Sequence, residues 1–164
     1  MEKIEIFSKL KKAIINDNRK EILEIYLYTI KNSLSDREVI AKLMEYMYKT
    51  GDSEKYINLL RLYGSNTNSD ADIAYFVGFY FLMKKSYFHA LCSFKLVDKY
   101  SIYYSFAQKN IKNIENNELK LLTVIKNETD GKNERLKNIE ENVYKTVNRM
   151  INYAKSNKDG FKDF

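Results

Sequence analysis

The sequence has no proline, no tryptophan and only five glycines among its 164 residues. β-Sandwiches and β-barrels need many tight turns, which depend on glycine and proline, so this scarcity argues against both classes. Instead, apolar residues recur at steps of three and four, and short polar breaks separate the periodic segments. The sequence therefore predicts an all-α chain.

The chain has a single cysteine and lacks a long apolar run. Cys92 has no second cysteine with which to form an internal disulfide, which favours a reducing compartment. A membrane-spanning helix needs about 18 or more consecutive apolar residues, and the N-terminal residues do not have the apolar core of a signal peptide. We therefore expect a cytoplasmic protein without membrane insertion.

Positive charge exceeds negative charge, but it is spread along the chain. The formal net charge is +6, no run of lysine or arginine is longer than two residues, and acidic residues are interleaved throughout. Solvated helix faces are the simpler explanation of this pattern. A diffuse basic surface also permits phosphate contacts, so a nucleic-acid-binding helical array is the second functional hypothesis.

The periodic segments predict a series of helices. Glu2–Asn16 and Arg19–Lys31 come first. Ser33 or Ser35 is the predicted N-cap of a third helix, and Ser35 would form a capping box with Glu38. Gly51 is expected to end the third helix in the left-handed conformation. One helix is predicted to start at residues 51–53, and Ser69 or Asp70 is the predicted cap of the helix after it. Another helix begins at Ser101, is interrupted at residues 116–117, and is followed by a shorter helix around residues 119–125.

The segment 71–102 is the most regular part of the chain. Two apolar-periodic stretches, 73–83 and 87–97, are separated by a polar break at residues 84–86. Gly78 lies in the middle of the first stretch and Ala90 in the middle of the second. A glycine within a helix costs about 1 kcal/mol relative to alanine, so we expect Gly78 to allow close helix packing, with the Phe94 side chain filling the adjacent space.

The same positions recur at a fixed offset along the chain. Ala74, Gly78, Phe81, Ala90 and Phe94 correspond in this way to Ile40, Met44, Met47, Tyr56 and Leu60. This pattern resembles the tetratricopeptide repeat (TPR), a helix–turn–helix unit with a period of about 34 residues. No proline closes any unit and the large aromatic residue near the start of each unit is missing, so HEAT-like and other α–α solenoids remain alternatives.

The resemblance implies an α–α superhelix, a TPR-like solenoid of antiparallel helix pairs. Its units would span residues 3–36, 37–70 and 71–104, followed by a degenerate unit at 105–128. A long helix at 133–156, with one narrow apolar stripe, would cap the array, or would mediate self-association as a partner helix. Residues 157–164 are predicted to be a flexible tail.

The resemblance also implies a binding face. The first helix of each TPR pair lines a concave groove that binds peptides or partner helices. In this sequence, the predicted partner-binding residues are Phe7, Lys11, Tyr48, Tyr75, Phe79 and Leu82. The alternative is that these aromatic rings pack against the following helix, as most of the 14 tyrosines and 9 phenylalanines are expected to do. The leading hypothesis is a non-catalytic scaffold or adaptor that binds another protein or peptide.

The sequence offers little support for catalysis. His89 is the only histidine, and Cys92 lies three residues further on the same predicted helix. A structural zinc site needs four ligands, and no acidic residue is placed to orient His89 for nucleophilic catalysis. We therefore expect no enzyme activity, no catalytic residues, no metal site and no cofactor.

Overall fold

The structure is a computed structural model that describes residues 3–117 and 133–156. Every regular element within these two ranges is an α-helix, which confirms the predicted all-α class. The helices are α1 (Lys3–Ile15), α2 (Arg19–Lys31), α3 (Arg37–Thr50), α4 (Ser53–Ser65), α5 (Asp70–Met83), α6 (Tyr87–Lys95), α7 (Tyr104–Asn117) and α8 (Asn133–Lys155). The predicted short helix around residues 119–125 and the predicted tail lie outside the described residues.

The helix starts follow the period predicted from the sequence. The starts of α2, α4 and α6, at positions 19, 53 and 87, are equally spaced along the chain. The starts of α1, α3, α5 and α7, at positions 3, 37, 70 and 104, keep the same spacing to within one position. α1 packs on α2, α3 on α4 and α5 on α6. The helix pairs and their period are therefore present, while the superhelical arrangement of the pairs stays a prediction.

The chain divides into two compact units. Unit 1 comprises α1 to α4 together with Ala154 and Lys155 at the end of α8, and unit 2 comprises α5 to α7 and the rest of α8. None of the helices in the described ranges combines the length and the apolar character that crossing a membrane requires.

Unit 1 has a core of mainly aliphatic side chains. The fully buried residues of its four helices include Leu10, Ile22, Ile40, Leu43, Met44, Leu59 and Leu60. Gly51 has a φ of 75° and ends α3, as predicted, because glycine adopts the left-handed conformation at no steric cost.

Local capping residues set the starts of the unit 1 helices. The Asp36 carboxylate accepts hydrogen bonds from the backbone N–H groups of Glu38 and Val39, at 3.0 and 3.3 Å. The prediction that Ser33 or Ser35 caps α3 is therefore wrong by at least one position. An aspartate is as good an N-cap as serine, and its charge is favoured at the positive end of the helix dipole. Asp52 caps α4 in the same way through the Lys55 N–H.

One contact of unit 1 joins residues that are far apart in the sequence. Gly64 of α4 lies directly against the backbone of Ala154, so that a Cβ atom at Gly64 would come within 2.6 Å of the Ala154 carbonyl carbon. Gly64 is buried near the end of α4, which continues to Ser65. Glycine at this position permits the close approach of the end of α8.

Unit 2 is organised around the close packing of α5 and α6. A Cβ atom at Gly78 would lie 2.5 Å from Cε1 of the Phe94 ring, which is fully buried. The Ser93 hydroxyl donates to the backbone carbonyl of Ala74 at 2.6 Å. The prediction that Gly78 exists for close packing beside Phe94 is confirmed.

The final helix carries the narrow stripe that its sequence predicts. Val143, Val147, Met150 and Ala154 are buried, whereas Ile139 remains exposed. In unit 2, the hydroxyl of Tyr144 forms a hydrogen bond with the Cys92 side chain of α6. Most of the stripe is covered within the chain itself, so self-association through it would require those side chains to leave their present contacts.

Candidate interaction surfaces

Three residues of the predicted binding face, Phe7, Lys11 and Tyr48, lie in unit 1. Lys11 is exposed, and its ammonium group lies 4.3 Å from the centroid of the Phe7 ring, one turn earlier on α1. Phe7 and Tyr48 are half-buried. The structure thus brings Phe7 and Lys11 together as a cation–π pair, an interaction worth about 0.5–1 kcal/mol at an exposed site.

The other three residues, Tyr75, Phe79 and Leu82, lie on α5 in unit 2 and are half-buried. The Tyr75 ring stacks on the Tyr103 ring, with centroids 4.5 Å apart and planes 5° from parallel. The Phe79 ring meets the Tyr75 ring edge-on at 5.0 Å and the Phe94 ring at 5.3 Å. These rings therefore stabilise the packing of unit 2, and much of their area is not available to a partner.

The connection between α6 and α7 is held to α5 by two side chains. The Ser101 hydroxyl donates to the buried Asp72 carboxylate at 2.6 Å and accepts from the Tyr103 N–H at 3.1 Å. Tyr103 adds the stacking contact described above. Because these interactions fix residues 101–103 as turns, α7 begins at Tyr104, and the prediction that it begins at Ser101 is wrong by three positions.

The residues that alternate with these anchors point to solvent. The exposed fraction is 84% for Tyr100, 75% for Ile102 and 56% for Phe106, and Tyr104 is also exposed. We call these four side chains the Tyr100–Phe106 surface. Sequence reasoning missed it, because none of these four residues is among the six predicted partner-binding residues.

Unit 1 contains a groove of about 470 Å³ where the end of α3 and the start of α4 approach α2. This volume falls within the range of about 300–1,000 Å³ that is typical of ligand pockets. We call it the basic groove, because three of its lining residues are cations and one is an anion. The lining consists of Arg19, Ile22, Leu23, Tyr46, Met47, Lys49, Thr50, Asp52 and Lys55.

The charges around the basic groove are partly paired. The Glu45 carboxylate receives hydrogen bonds from both Lys42 and Lys49, each at 2.9 Å. Burial acts to raise the pKa of Glu45, but these two hydrogen bonds outweigh burial and lower it. Asp52 is bound tightly by Lys55 at 2.7 Å in addition to its capping role.

His89 is half-buried and Cys92 is buried on α6 of unit 2. Burial lowers the pKa of His89, whose ring lies 5.1 Å from that of Phe81. Burial also raises the pKa of Cys92 to about 11, so that the thiol is protonated at neutral pH and is a poor nucleophile. The pKa of Tyr144 is raised to about 12, first by burial and then by the neighbouring Cys92.

The described ranges contain no group of three or more His, Cys, Asp or Glu side chains placed to hold a metal ion. Comparison of the chain with protein-family models, curated proteins and solved structures gave no match. The resemblance to TPR proteins therefore depends on the residues and their spacing alone.

Proposed function

We propose that this protein is a non-catalytic protein-interaction module, and that unit 2 binds a partner protein through the Tyr100–Phe106 surface. The observation that carries the proposal is the alternation within one short segment. Ser101 and Tyr103 anchor the backbone to α5, while Tyr100, Ile102, Tyr104 and Phe106 are exposed.

Large exposed apolar side chains that lie close together are a feature of interaction sites, and these four occur within one short segment of the chain. Aromatic residues contribute a large share of the binding energy at protein interfaces because they bury much area and lose little entropy. A segment that is already fixed by a hydrogen bond and a stacked ring loses less conformational entropy when it binds. Both properties support a role in binding.

Nucleic acid remains the alternative partner. Lys99 lies 5.3 Å from the centroid of the Tyr100 ring, and aromatic rings near lysines also suit stacking on single-stranded bases. The two hypotheses differ in their response to salt, since phosphate contacts weaken steeply as the salt concentration rises and apolar contacts do not.

The test is an affinity capture from the lysate of the native host with the variant Ile102→Ala/Phe106→Ala. The matched control is Ile4→Ala/Ile15→Ala, which removes two isoleucines of unit 1 that are even more exposed. Captures at low and high salt, with and without nuclease, are compared after circular dichroism has shown that all three proteins are folded.

We expect a protein partner that is retained at high salt and after nuclease treatment by the wild type and the control, and is lost with Ile102→Ala/Phe106→Ala. Equal capture by all three proteins would remove the Tyr100–Phe106 surface from the proposal. Recovery of nucleic acid that disappears at high salt would replace the proposal with the nucleic-acid hypothesis.

A further inference from the structure

The basic groove of unit 1 is a second candidate binding site, and it does not depend on the Tyr100–Phe106 surface. Its apolar lining residues are the buried Ile22 and the exposed Leu23 of α2, together with the buried Met47 of α3. Arg19 and Lys49 are on its rim, with side chains that are 80% and 67% exposed. The groove therefore combines an aliphatic base with accessible cations.

These two cations can change partners at little cost. Lys49 shares the Glu45 carboxylate with Lys42, so Glu45 keeps one lysine when Lys49 turns toward a ligand. The Nε atom of Arg19 lies 3.6 Å from the Oδ1 atom of Asp17, and both side chains are largely exposed. An exposed ion pair of this kind contributes at most about 1 kcal/mol to stability. A ligand carboxylate that is less exposed to solvent than Asp17 would therefore compete with Asp17 for Arg19.

The single acidic residue of the lining, Asp52, is already hydrogen-bonded to Lys55. Asp52 accepts from the Lys55 ammonium group and caps the start of α4, and the hydrogen bonds from Lys55 lower the pKa of Asp52 in spite of its partial burial. Its charge is therefore balanced by Lys55. The other two cations of the lining, Arg19 and Lys49, have only the exposed ion pairs with Asp17 and Glu45 described above.

We propose that the basic groove binds an acidic segment of a partner protein. An apolar side chain of that segment lies on Ile22, Leu23 and Met47, and carboxylates on either side of it pair with Arg19 and Lys49. Complementary charge of this kind contributes specificity and a faster association rate, and the buried apolar side chain supplies affinity. Tyr46 also lines the groove and offers a ring on which a base can stack, so competition by a nucleic acid is one of the outcomes that the experiment tests.

The experiment uses an array of synthetic nonapeptides with a central Leu, Ile or Phe and Asp or Glu at the flanking positions. Peptides with the same centre and Lys flanks, and all-acidic peptides without an apolar centre, are included as comparisons. The affinity of the strongest binder is then measured by fluorescence anisotropy with the full chain, at several salt concentrations.

Two pairs of variants test the two halves of the groove. Arg19→Glu/Lys49→Glu is compared with Lys12→Glu/Lys31→Glu, which makes the same change in net charge at exposed positions of unit 1 outside the groove. Leu23→Gln is compared with Leu27→Gln, which alters an exposed leucine one turn further along α2 that does not line the groove. The four charged positions and both leucines are exposed, so folding should be retained.

We expect Arg19→Glu/Lys49→Glu and Leu23→Gln each to weaken binding by about tenfold or more, and their controls to change it by about twofold or less. Binding of the peptide should weaken as the salt concentration rises, and peptides without a central apolar residue should not bind. Three outcomes would overturn the proposal: no acidic peptide binds, both charge variants lose binding equally, or a DNA oligonucleotide displaces the peptide as well as a second acidic peptide does. None of these outcomes bears on the Tyr100–Phe106 surface, which these variants leave intact.

Discussion

Unit 1 and unit 2 are both built from contacting helix pairs of the same period, but different side chains pack them. The core of unit 1 is mainly aliphatic, with Leu43, Leu59 and Leu60 fully buried. Unit 2 is packed by a network of rings in which Tyr75 contacts Phe76, Phe79, Phe94 and Tyr103. One helical framework thus accepts either kind of core, because the helix period fixes which positions are buried and leaves the choice of side chain open.

The two units also differ in what they present to solvent. Unit 1 has a groove with an aliphatic floor and a cationic rim, whereas unit 2 has four exposed apolar side chains on an anchored segment. Binding to unit 1 should therefore be sensitive to salt, and binding to unit 2 should not. One helical framework can therefore present different surface chemistry in each of the two units.

The largest expected effect tests the ring packing of unit 2. Phe94→Ala removes a fully buried ring that contacts Tyr75 and Phe79, and should lower the free energy of unfolding by about 3–5 kcal/mol. Phe106→Ala, which removes an exposed ring of the same unit, should change it by about 0.5 kcal/mol or less. Urea denaturation followed by circular dichroism measures both. Similar losses for the two variants would contradict the division of unit 2 into a ring core and an exposed surface.

A smaller effect compares close packing in the two units. Gly64→Ala forces a Cβ atom onto the backbone of Ala154, whereas Gly78→Ala forces one onto the Phe94 ring. Both should destabilise the protein, by about 1–3 kcal/mol, because overpacking outweighs the gain in helix propensity. The loss should be greater at Gly64, since a ring can shift more easily than backbone. If thermal denaturation shows that either variant is more stable than the wild type, the close approach at that glycine is not rigid.

The smallest expected effect is a difference between the units in how their stability depends on pH. Burial lowers the pKa of His89, so the imidazole binds a proton more readily in the unfolded chain than in the folded one. The stability that His89 contributes to unit 2 is therefore lost as the pH falls below 6.5, the ordinary pKa of histidine. The pKa of Glu45 is also lowered, and this acts at more acidic pH. The stability that Glu45 contributes to unit 1 is lost as the pH falls below 4.5, the ordinary pKa of glutamate.

Urea midpoints measured from pH 3 to 8 test this assignment. His89→Gln should flatten the profile just below pH 6.5, and Glu45→Gln should flatten it only near and below pH 4.5. A profile that neither substitution changes would show that other groups govern the acid response of the protein.

Much of the fold was predictable from local patterns. α2 has the predicted bounds, Arg19–Lys31, and the polar break at residues 84–86 separates α5 from α6 as expected. These features depend on interactions between residues a few positions apart, such as helix periodicity and the tolerance of Gly51 for a positive φ. The start of α3 was misplaced because Ser35 and Asp36 are adjacent and both suit an N-cap.

The candidate surfaces were less predictable. Of the six predicted partner-binding residues, Tyr75 and Phe79 lie within the ring network of unit 2, and neither the Tyr100–Phe106 surface nor the basic groove was anticipated. α5 is apolar on nearly every side, from Ile73 to Met83, so its sequence does not indicate which rings face a partner. Arg61 is a second residue whose burial the sequence does not indicate. Its charge predicts a position at the surface, but it is fully buried.

The sequence by itself determined the helical class, the period of the helix pairs and the close packing at Gly78, because each depends on spacing along one or two neighbouring helices. Only the tertiary structure decided that Gly64 meets Ala154, that Tyr103 is held while Ile102 is exposed, and that Arg19 and Lys49 share one groove. The physical reason is that these features join residues from distant parts of the chain, and no local period records which of them will meet.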